Sequence, residues 1–339
     1  MDSVSHQIFN VHLKSQQKSF DAPEADSVLE SGLRHGLAMR YECSNGTCGT
    51  CTAKLLKGKI KKVKHQDFVL SDQQKQQNAF LTCCNAAASD VEIDIDLISD
   101  VSSIALQKIK TKVKKLTFLN DNFAVLTLKT PRSQTLQFMA GQSVELSFKG
   151  SHMNYPLASC PCHGMALDFH IRNLPEDSFS QAVFNKELKP KSTVNLEGPK
   201  GIFTLKETSK RPMLFIAWDS GFAPIGSLIE HAFSLEKSNP VYFYWAYPAN
   251  EKKPYFDNHA RSWFAVMDNY TYTPIACVFD RNSKNDCQKV SKKIFNALDL
   301  GVVKKSDVYV SAPAEVLIYL GGLLLENGLD ESQLIASPI

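Results

Sequence analysis

The feature that most restricts this chain is the segment 41–51, YECSNGTCGTC, because it places three cysteines within nine residues. Cys43, Cys48 and Cys51 follow the pattern C-x4-C-x2-C. Three thiols at this spacing can hold zinc, form disulfides or hold part of an iron–sulfur cluster. A zinc site more usually contains two separated C-x2-C pairs, whereas this segment contains one. The position of a fourth ligand should decide among these alternatives.

A fourth cysteine, Cys83, follows Cys51 after 31 intervening residues. Four cysteines with this spacing bind a [2Fe–2S] cluster through their thiolates. The small residues Gly46 and Gly49 favour the same interpretation, because the backbone must approach the cluster closely and glycine permits that. We therefore expect a [2Fe–2S] cluster held by Cys43, Cys48, Cys51 and Cys83.

The composition indicates where the protein works and what it does not bind. Nine cysteines in a chain whose N-terminus lacks the layout of a signal peptide favour metal binding or buried thiols over disulfides. No apolar run approaches the roughly 20 residues that cross a bilayer. The net charge of +3 is too small to indicate nucleic-acid binding. We expect a cytoplasmic protein without a membrane span or a nucleic-acid partner.

The periodicity of the chain changes twice, which predicts three domains in a multidomain α+β, β and α/β protein. Residues 1–100 have the pattern of a small α+β unit. Residues 104–207 contain short strands separated by Gly and Pro, which predicts an antiparallel β-barrel. In residues 210–339, four near-continuous apolar strands alternate with helices, which predicts a parallel sheet covered on both faces.

Most of residues 5–98 resemble the plant-type ferredoxin domains, through the cysteine pattern, the pair Ser89–Asp90 and the acidic strand that follows it. The resemblance implies a β-grasp fold and one-electron chemistry. It also selects Cys83 over Cys84 as the fourth ligand, because the family places the S-D pair six and seven residues after its last ligand. Cys84 is then expected to be a buried thiol beside the site.

The rest of the chain resembles the ferredoxin–NADP reductase superfamily. This resemblance implies that residues 104–207 form a flavin-binding barrel and residues 210–339 a nicotinamide-binding α/β domain. The order of the three domains is similar to that of the reductase components of bacterial oxygenases and of sugar-dehydrase reductases.

The predicted flavin site departs from the family pattern R-x-Y-S, in which the Tyr packs on the flavin and the Arg holds its phosphates. Tyr155 is present, but Met153 replaces the Arg and Pro156 replaces the Ser. Ser180 matches the serine of the family's phosphate-binding turn, and Asp177 stands where that turn usually has Gly. Arg172 lies on the strand that lines the flavin and either supplies the missing charge or is a solvated strand residue. The resemblance implies a flavin site formed by Tyr155, Pro156, Arg172 and Ser180.

The predicted nicotinamide site departs further. The family's first βα turn is G-G-T-G-x-A-P, and Trp218 and Asp219 replace its two leading glycines. The last turn, normally C-G-P, begins with Ser311. The resemblance implies a nicotinamide site formed by Ser220, Gly221, Ala223, Pro224, Ala312 and Pro313.

These features predict an NAD(P)H:acceptor oxidoreductase that passes single electrons through FAD and the cluster to a partner protein, by resemblance an oxygenase or hydroxylase. Neither a catalytic acid or base nor a preference between NADH and NADPH is predicted. The alternative is a [2Fe–2S] carrier or assembly subunit whose reductase domains are partly vestigial and have no NAD(P)H activity. Bound flavin and its reduction by NAD(P)H distinguish the two.

Overall fold

A computed structural model describes residues 7–35, 37–98, 101–131, 134–161, 166–278 and 284–339. Residues 99 and 100, where the first predicted domain ends, lie outside this part of the chain. The strands form three main sheets in chain order, with one further pair of short strands. No helix among the described residues is long and apolar enough to cross a membrane.

The first sheet carries the cysteine segment. It has the order β2-β1-β7-β3-β5, in which β1 and β7 run parallel and the other neighbours antiparallel. Ser27 and Glu30 form a reciprocal capping box that starts the helix α1. The elements are β1 (Ile8–Leu13), β2 (Lys18–Pro23), α1 (Val28–Arg34), β3 (Thr52–Lys57), β4 (Ile60–Lys62), α2 (Asp72–Gln76), β5 (Ala79–Leu81), β6 (Asn85–Ala87) and β7 (Val91–Asp94).

The second sheet is antiparallel and surrounds a core of aliphatic and aromatic side chains. Its six strands have the order β11-β10-β13-β8-β9-β12. Along β9 and β10, buried residues largely alternate with less buried ones, as expected when one face covers a core. The elements are β8 (Gln107–Phe118), β9 (Phe123–Lys129), β10 (Ser143–Phe148), β11 (Ser151–Pro156), β12 (Ala166–Arg172), α3 (Ser178–Phe184) and β13 (Thr193–Lys200).

The third sheet is parallel, with the order β16-β15-β14-β17-β18. Its central strands β14 and β17 are buried at every residue, because helices cover both faces. The edge strand β18 was not predicted from the sequence. The elements are β14 (Met213–Trp218), α4 (Phe222–Ser234), β15 (Val241–Pro248), α5 (Asp257–Ser262), β16 (Tyr270–Cys277), α6 (Lys284–Ala297), α7 (Leu300–Val303), β17 (Asp307–Ala312), α8 (Ala314–Glu326) and β18 (Leu334–Pro338).

Polar contacts join the three sheets near the predicted sites. Thr135, in the loop after β9, donates from its backbone N–H and its hydroxyl to the carbonyl oxygen of Glu42, at 2.9 and 2.6 Å. Ser227 of α4 donates from its hydroxyl to the carbonyl oxygen of Ser159, at 2.9 Å. The cysteine segment therefore rests on the second domain, which in turn contacts the first helix of the third domain.

Candidate cofactor sites

The loop that carries Cys43 and Cys48 has a conformation that depends on glycine. Gly46 and Gly49 have φ values of +85° and +78°, a region that side chains with a Cβ rarely adopt. A Cβ at Gly46 would lie 2.6 Å from the Cys84 sulfur. The backbone N–H groups of Asp67 and Phe68 donate to the Gly46 carbonyl oxygen, at 3.1 and 2.8 Å. A short neighbouring segment thus holds the loop closed.

The four predicted ligands are free thiols, of which Cys43, Cys51 and Cys83 are buried and Cys48 is half-buried. The sulfur atoms of Cys51 and Cys83 lie 3.2 Å apart. Backbone N–H groups of Thr47 and Thr50 donate to the sulfurs of Cys43 and Cys48, at 3.4 and 3.5 Å. In the described part of the chain, no group of three or more His, Cys, Asp or Glu side chains is placed to hold a single metal ion.

The ionisation of Cys43 and Cys51 also favours metal binding, because the thiolate is the form that binds metal. Burial raises the pKa of Cys43, but hydrogen bonds from Thr47 and from the loop backbone outweigh it and lower the pKa to about 6. The hydrogen bond with Cys83 lowers the pKa of Cys51 to about 7. The same contact, together with burial, raises the pKa of Cys83. Soft thiolates with amide donors to sulfur fit a [2Fe–2S] cluster.

The side chains of the predicted flavin residues Tyr155 (β11) and Ser180 (α3) both lie near the N-terminus of α3. Each forms hydrogen bonds with other residues of the chain. The Tyr155 hydroxyl donates to the carboxylate of Asp177. Asp177 also accepts from the backbone N–H groups of Phe179 and Ser180, at 2.9 and 3.0 Å. The Ser180 hydroxyl donates to the carbonyl oxygen of Arg172 at 2.6 Å. The carboxylate of Asp177 therefore occupies the amides that a phosphate of the flavin would use.

The other predicted flavin residues lie at the ends of two strands. Pro156 ends β11 and pairs with Ser143, while Arg172 ends β12 and forms an ion pair with Asp219 of the third domain. Asp219 is 2% exposed and has a φ of +49°, which is uncommon for a residue other than glycine. The charge of Arg172 is thus directed at a carboxylate in the first βα turn.

Aromatic side chains fill the interface beside this ion pair. Tyr255, from the loop after β15, stacks on Phe123 with ring centroids 3.8 Å apart and planes within 9°. Phe222 stacks on Trp245 with ring centroids 4.1 Å apart and planes within 8°. Nδ1 of His170, on β12, forms a hydrogen bond with the Tyr255 hydroxyl at 2.9 Å. Burial lowers the pKa of His170 to about 3. No role of Tyr255 or Phe222 was predicted from the sequence.

The predicted nicotinamide residues gather at the carboxyl edge of the parallel sheet, where α/β proteins bind their ligands. Gly221 lies so close to the carbonyl oxygen of Ser311 that a Cβ there would overlap it. Ala223 and Pro224 are buried in the first turn of α4, and Ala312 is buried at the end of β17. Ser220 and Pro313 are half-buried beside them. The first and last turns of the predicted site are therefore in direct contact.

A cavity of about 390 Å³ opens at the same edge, between the second and third domains. Its lining is mostly polar and includes Asn120, Arg172, Asp219, Tyr247, Lys253 and Tyr255. Arg172, the hydroxyl groups and the aromatic rings are of the types that hold a flavin dinucleotide. A phosphate would, however, have to replace the carboxylates of Asp177 and Asp219, since these now occupy its donors.

Two domain families match the chain in this order. Residues 11–88 match the 2Fe-2S iron-sulfur cluster binding domain, and residues 110–205 match the oxidoreductase FAD-binding domain. These matches confirm the predicted resemblance, the [2Fe–2S] and FAD cofactors and, with the sheets described above, the predicted fold class.

Several curated relatives of the chain are named as reductases. It is 29% identical over 266 residues to a CDP-6-deoxy-L-threo-D-glycero-4-hexulose-3-dehydrase reductase of Yersinia pestis, covering 78% of this chain and 79% of that protein. It is 27% identical to reductase component 2 of the terephthalate 1,2-dioxygenase of a Comamonas species, covering 82% of this chain and 80% of that protein. It is 24% identical to the propane 2-monooxygenase reductase component of Mycolicibacterium goodii, covering 94% of both.

Solved structures share the fold at lower identity. The ferredoxin reductase in carbazole 1,9a-dioxygenase is 20% identical, has a TM-score of 0.57 and covers 99% of both chains. The ferredoxin-NADP+ reductase of Plasmodium falciparum is 16% identical, has a TM-score of 0.57 and covers 68% of this chain and 96% of that one. The fold of the whole chain is thus shared with the first of these structures, and the fold of about two thirds of it with the second.

Proposed function

Because the chain is an oxidoreductase that joins a [2Fe–2S] domain to an FAD-binding domain, we propose that it is the electron-transfer reductase of a two-component system. It takes electrons from NADH or NADPH and passes them singly through FAD and the cluster to a partner protein. The relatives that serve a dioxygenase and a monooxygenase support an oxygenase or hydroxylase as that partner. The cysteine loop, with its three thiols, its glycine-dependent turn and Cys83 beside it, is the observation that carries the proposal.

The proposed residues divide among three sites. The cluster is held by Cys43, Cys48, Cys51 and Cys83. The flavin is held by Tyr155, Pro156, Arg172 and Ser180. The nicotinamide is held by Ser220, Gly221, Ala223, Pro224, Ala312 and Pro313.

Each domain of the chain has a separate task in this proposal. A bound flavin supplies the conversion of a two-electron hydride donor into single electrons. Thr135 fixes the Glu42 carbonyl, next to Cys43, and so holds the cluster loop on the flavin domain. The burial of His170 keeps its imidazole neutral at physiological pH, so that it adds no charge beside Arg172. These contacts position the cluster and set the charge around the cleft.

A second candidate function is favoured by the carboxylates at the flavin and nicotinamide sites. Asp177 accepts from the first backbone amides of α3, and Asp219 pairs with Arg172. The amides and the guanidinium that would attract a phosphate are therefore already bound to carboxylates of this chain. In this alternative, the protein is a [2Fe–2S] carrier or assembly subunit. Another protein would reduce its cluster, and its own reductase domains would serve docking or stability.

Cofactor analysis and nucleotide titration distinguish the two functions. The protein is purified without oxygen, its iron, sulfide and flavin contents are measured, and its visible spectrum is followed while NADH and then NADPH are added. The proposal requires bound FAD that bleaches on addition of one nucleotide. A cluster without flavin, or flavin that neither nucleotide reduces, would establish the carrier instead.

A further inference from the structure

A fifth thiol lies beside the four proposed cluster ligands. Cys84 is completely buried and free, and its sulfur is 3.6 Å from the sulfur of Cys83. Cys83 in turn lies 3.2 Å from Cys51. Three sulfurs therefore follow one another within the core of the first domain, although a [2Fe–2S] cluster takes only two thiolates on each iron.

The Cys84 side chain points toward the cluster loop. A Cβ at Gly46 would lie 2.6 Å from the Cys84 sulfur, so this sulfur packs directly against the turn between Cys43 and Cys48. Besides its contact with Cys83, the Cys84 thiol donates a hydrogen bond to the carbonyl oxygen of His65 at 3.2 Å. A thiol is a weak donor, and this contact therefore restrains Cys84 only slightly.

The surroundings also leave space for Cys83 to move. A cavity of about 430 Å³ reaches Cys83, with Ser44, Lys64, His65 and Thr135 among its other lining residues. A Cys83 side chain that leaves its iron can turn into this space. The exchange of adjacent thiols then requires both neighbouring side chains to rotate.

We propose that Cys84 is a reserve ligand of the cluster, which binds iron when Cys83 is absent or does not bind it. The inference rests on the proposed cluster site. In the exchange, the iron–sulfur bond of Cys83 breaks and that of Cys84 forms, while the proton of the Cys84 thiol passes to Cys83 or to water. One soft thiolate replaces another, so the iron oxidation state and the cluster charge do not change.

The test compares cluster content in five forms of the full-length protein, reconstituted anaerobically with iron and sulfide. These are the wild type, Cys83→Ala, Cys84→Ala, Cys83→Ala/Cys84→Ala and Cys48→Ala. Cys48 is the matched control, because its sequence neighbours are Thr47 and Gly49 and neither offers a second thiol. Iron and sulfide are assayed chemically, and the reduced cluster is observed by electron paramagnetic resonance.

The proposal requires about two irons per chain in Cys83→Ala, with shifted resonance g values, as in an intact [2Fe–2S] site with one changed ligand. The double variant and Cys48→Ala should lose the cluster, and Cys84→Ala should retain the wild-type signal. Equal loss in Cys83→Ala and the double variant would overturn the proposal. Loss of the cluster in the wild type itself would instead refute the cluster function, so the two failures are distinguishable.

A second pair of variants covers the case in which the alanine variants do not fold. Cys83→Ser offers a hard oxygen ligand at position 83, and iron of a [2Fe–2S] cluster prefers thiolate. If Cys84 takes over, Cys83→Ser keeps an all-thiolate visible spectrum, and only Cys83→Ser/Cys84→Ala shows the blue shift of oxygen ligation. The blue shift in both would overturn the proposal.

Discussion

Replacement of Asp219 by glycine should strengthen FAD binding. Asp219 pairs with Arg172, the cation proposed for the flavin phosphates, and its φ of +49° is a conformation in which glycine is unstrained. Without the carboxylate, the guanidinium can bind phosphate. Charge-assisted hydrogen bonds contribute about 1.5–3 kcal/mol, and every 1.4 kcal/mol is a factor of ten. The dissociation constant for FAD should therefore fall about 10- to 150-fold.

The assay is titration of the apoprotein with FAD, followed by quenching of flavin fluorescence at fixed ionic strength. Asp219→Asn removes the charge but keeps the side chain and the strained backbone, so its affinity should lie between those of the wild type and Asp219→Gly. Asp168→Asn is the charge control, since Asp168 lies on the same strand as Arg172 and accepts from the Thr127 hydroxyl at 2.6 Å. If Asp219→Gly binds FAD within about twofold of the wild type, Asp219 does not compete with phosphate and this reasoning is wrong.

Three further predictions concern stability and the cluster loop. Asp177→Ala should lower the free energy of unfolding by about 2–4 kcal/mol, because it removes the N-cap of α3 and the acceptor of the Tyr155 hydroxyl. The control is Asp177→Asn, whose side chain can still cap α3. If urea melts show that both variants lose the same free energy of unfolding, this role of Asp177 is refuted. Burial lowers the pKa of His170 from 6.5 to about 3. Between these two pH values the unfolded chain binds one more proton at His170 than the folded chain does. The free energy of unfolding should therefore fall as the pH falls from 6.5 towards 3, by up to about 1.4 kcal/mol per pH unit. In urea melts His170→Gln should flatten that slope, and an unchanged slope contradicts the assignment. Gly46→Ala should lower the iron content of the protein, because the added methyl group would lie 2.6 Å from the buried sulfur of Cys84. The control is Gly150→Ala, which also has a positive φ (+90°) but has open space around it and should keep its iron. Equal iron contents in the two variants would show that crowding at Gly46 is unimportant.

The [2Fe–2S] cofactor was predictable because most of its sequence signal is local. The spacing of Cys43, Cys48 and Cys51 and the glycines between them describe a single tight loop, and no long-range contact is needed to interpret them. The sequence did not indicate that the Cys84 sulfur faces Gly46. That contact joins segments about 40 residues apart and depends on how the loop packs on β5 and β6.

The reductase sites were less predictable because their contacts cross domains. The sequence offered two roles for Arg172, flavin ligand or solvated strand residue, and the structure adds an ion pair with Asp219, which lies 47 positions later. From the sequence, Asp177 was noted as a replacement for the usual Gly of the phosphate-binding turn, and the structure shows that its carboxylate accepts from the backbone N–H groups of Phe179 and Ser180. The strand β18 was missed because five residues of moderate hydrophobicity become a strand only beside β17.

The most direct test of the account is electron paramagnetic resonance of the anaerobic protein, frozen after addition of one equivalent of NADH or NADPH. The account predicts that one of the two nucleotides produces the signal of a reduced [2Fe–2S] cluster, and that Cys48→Ala does not give it. A cluster that dithionite reduces, but that neither nucleotide reduces even with added FAD, would contradict the reductase function and leave the electron carrier.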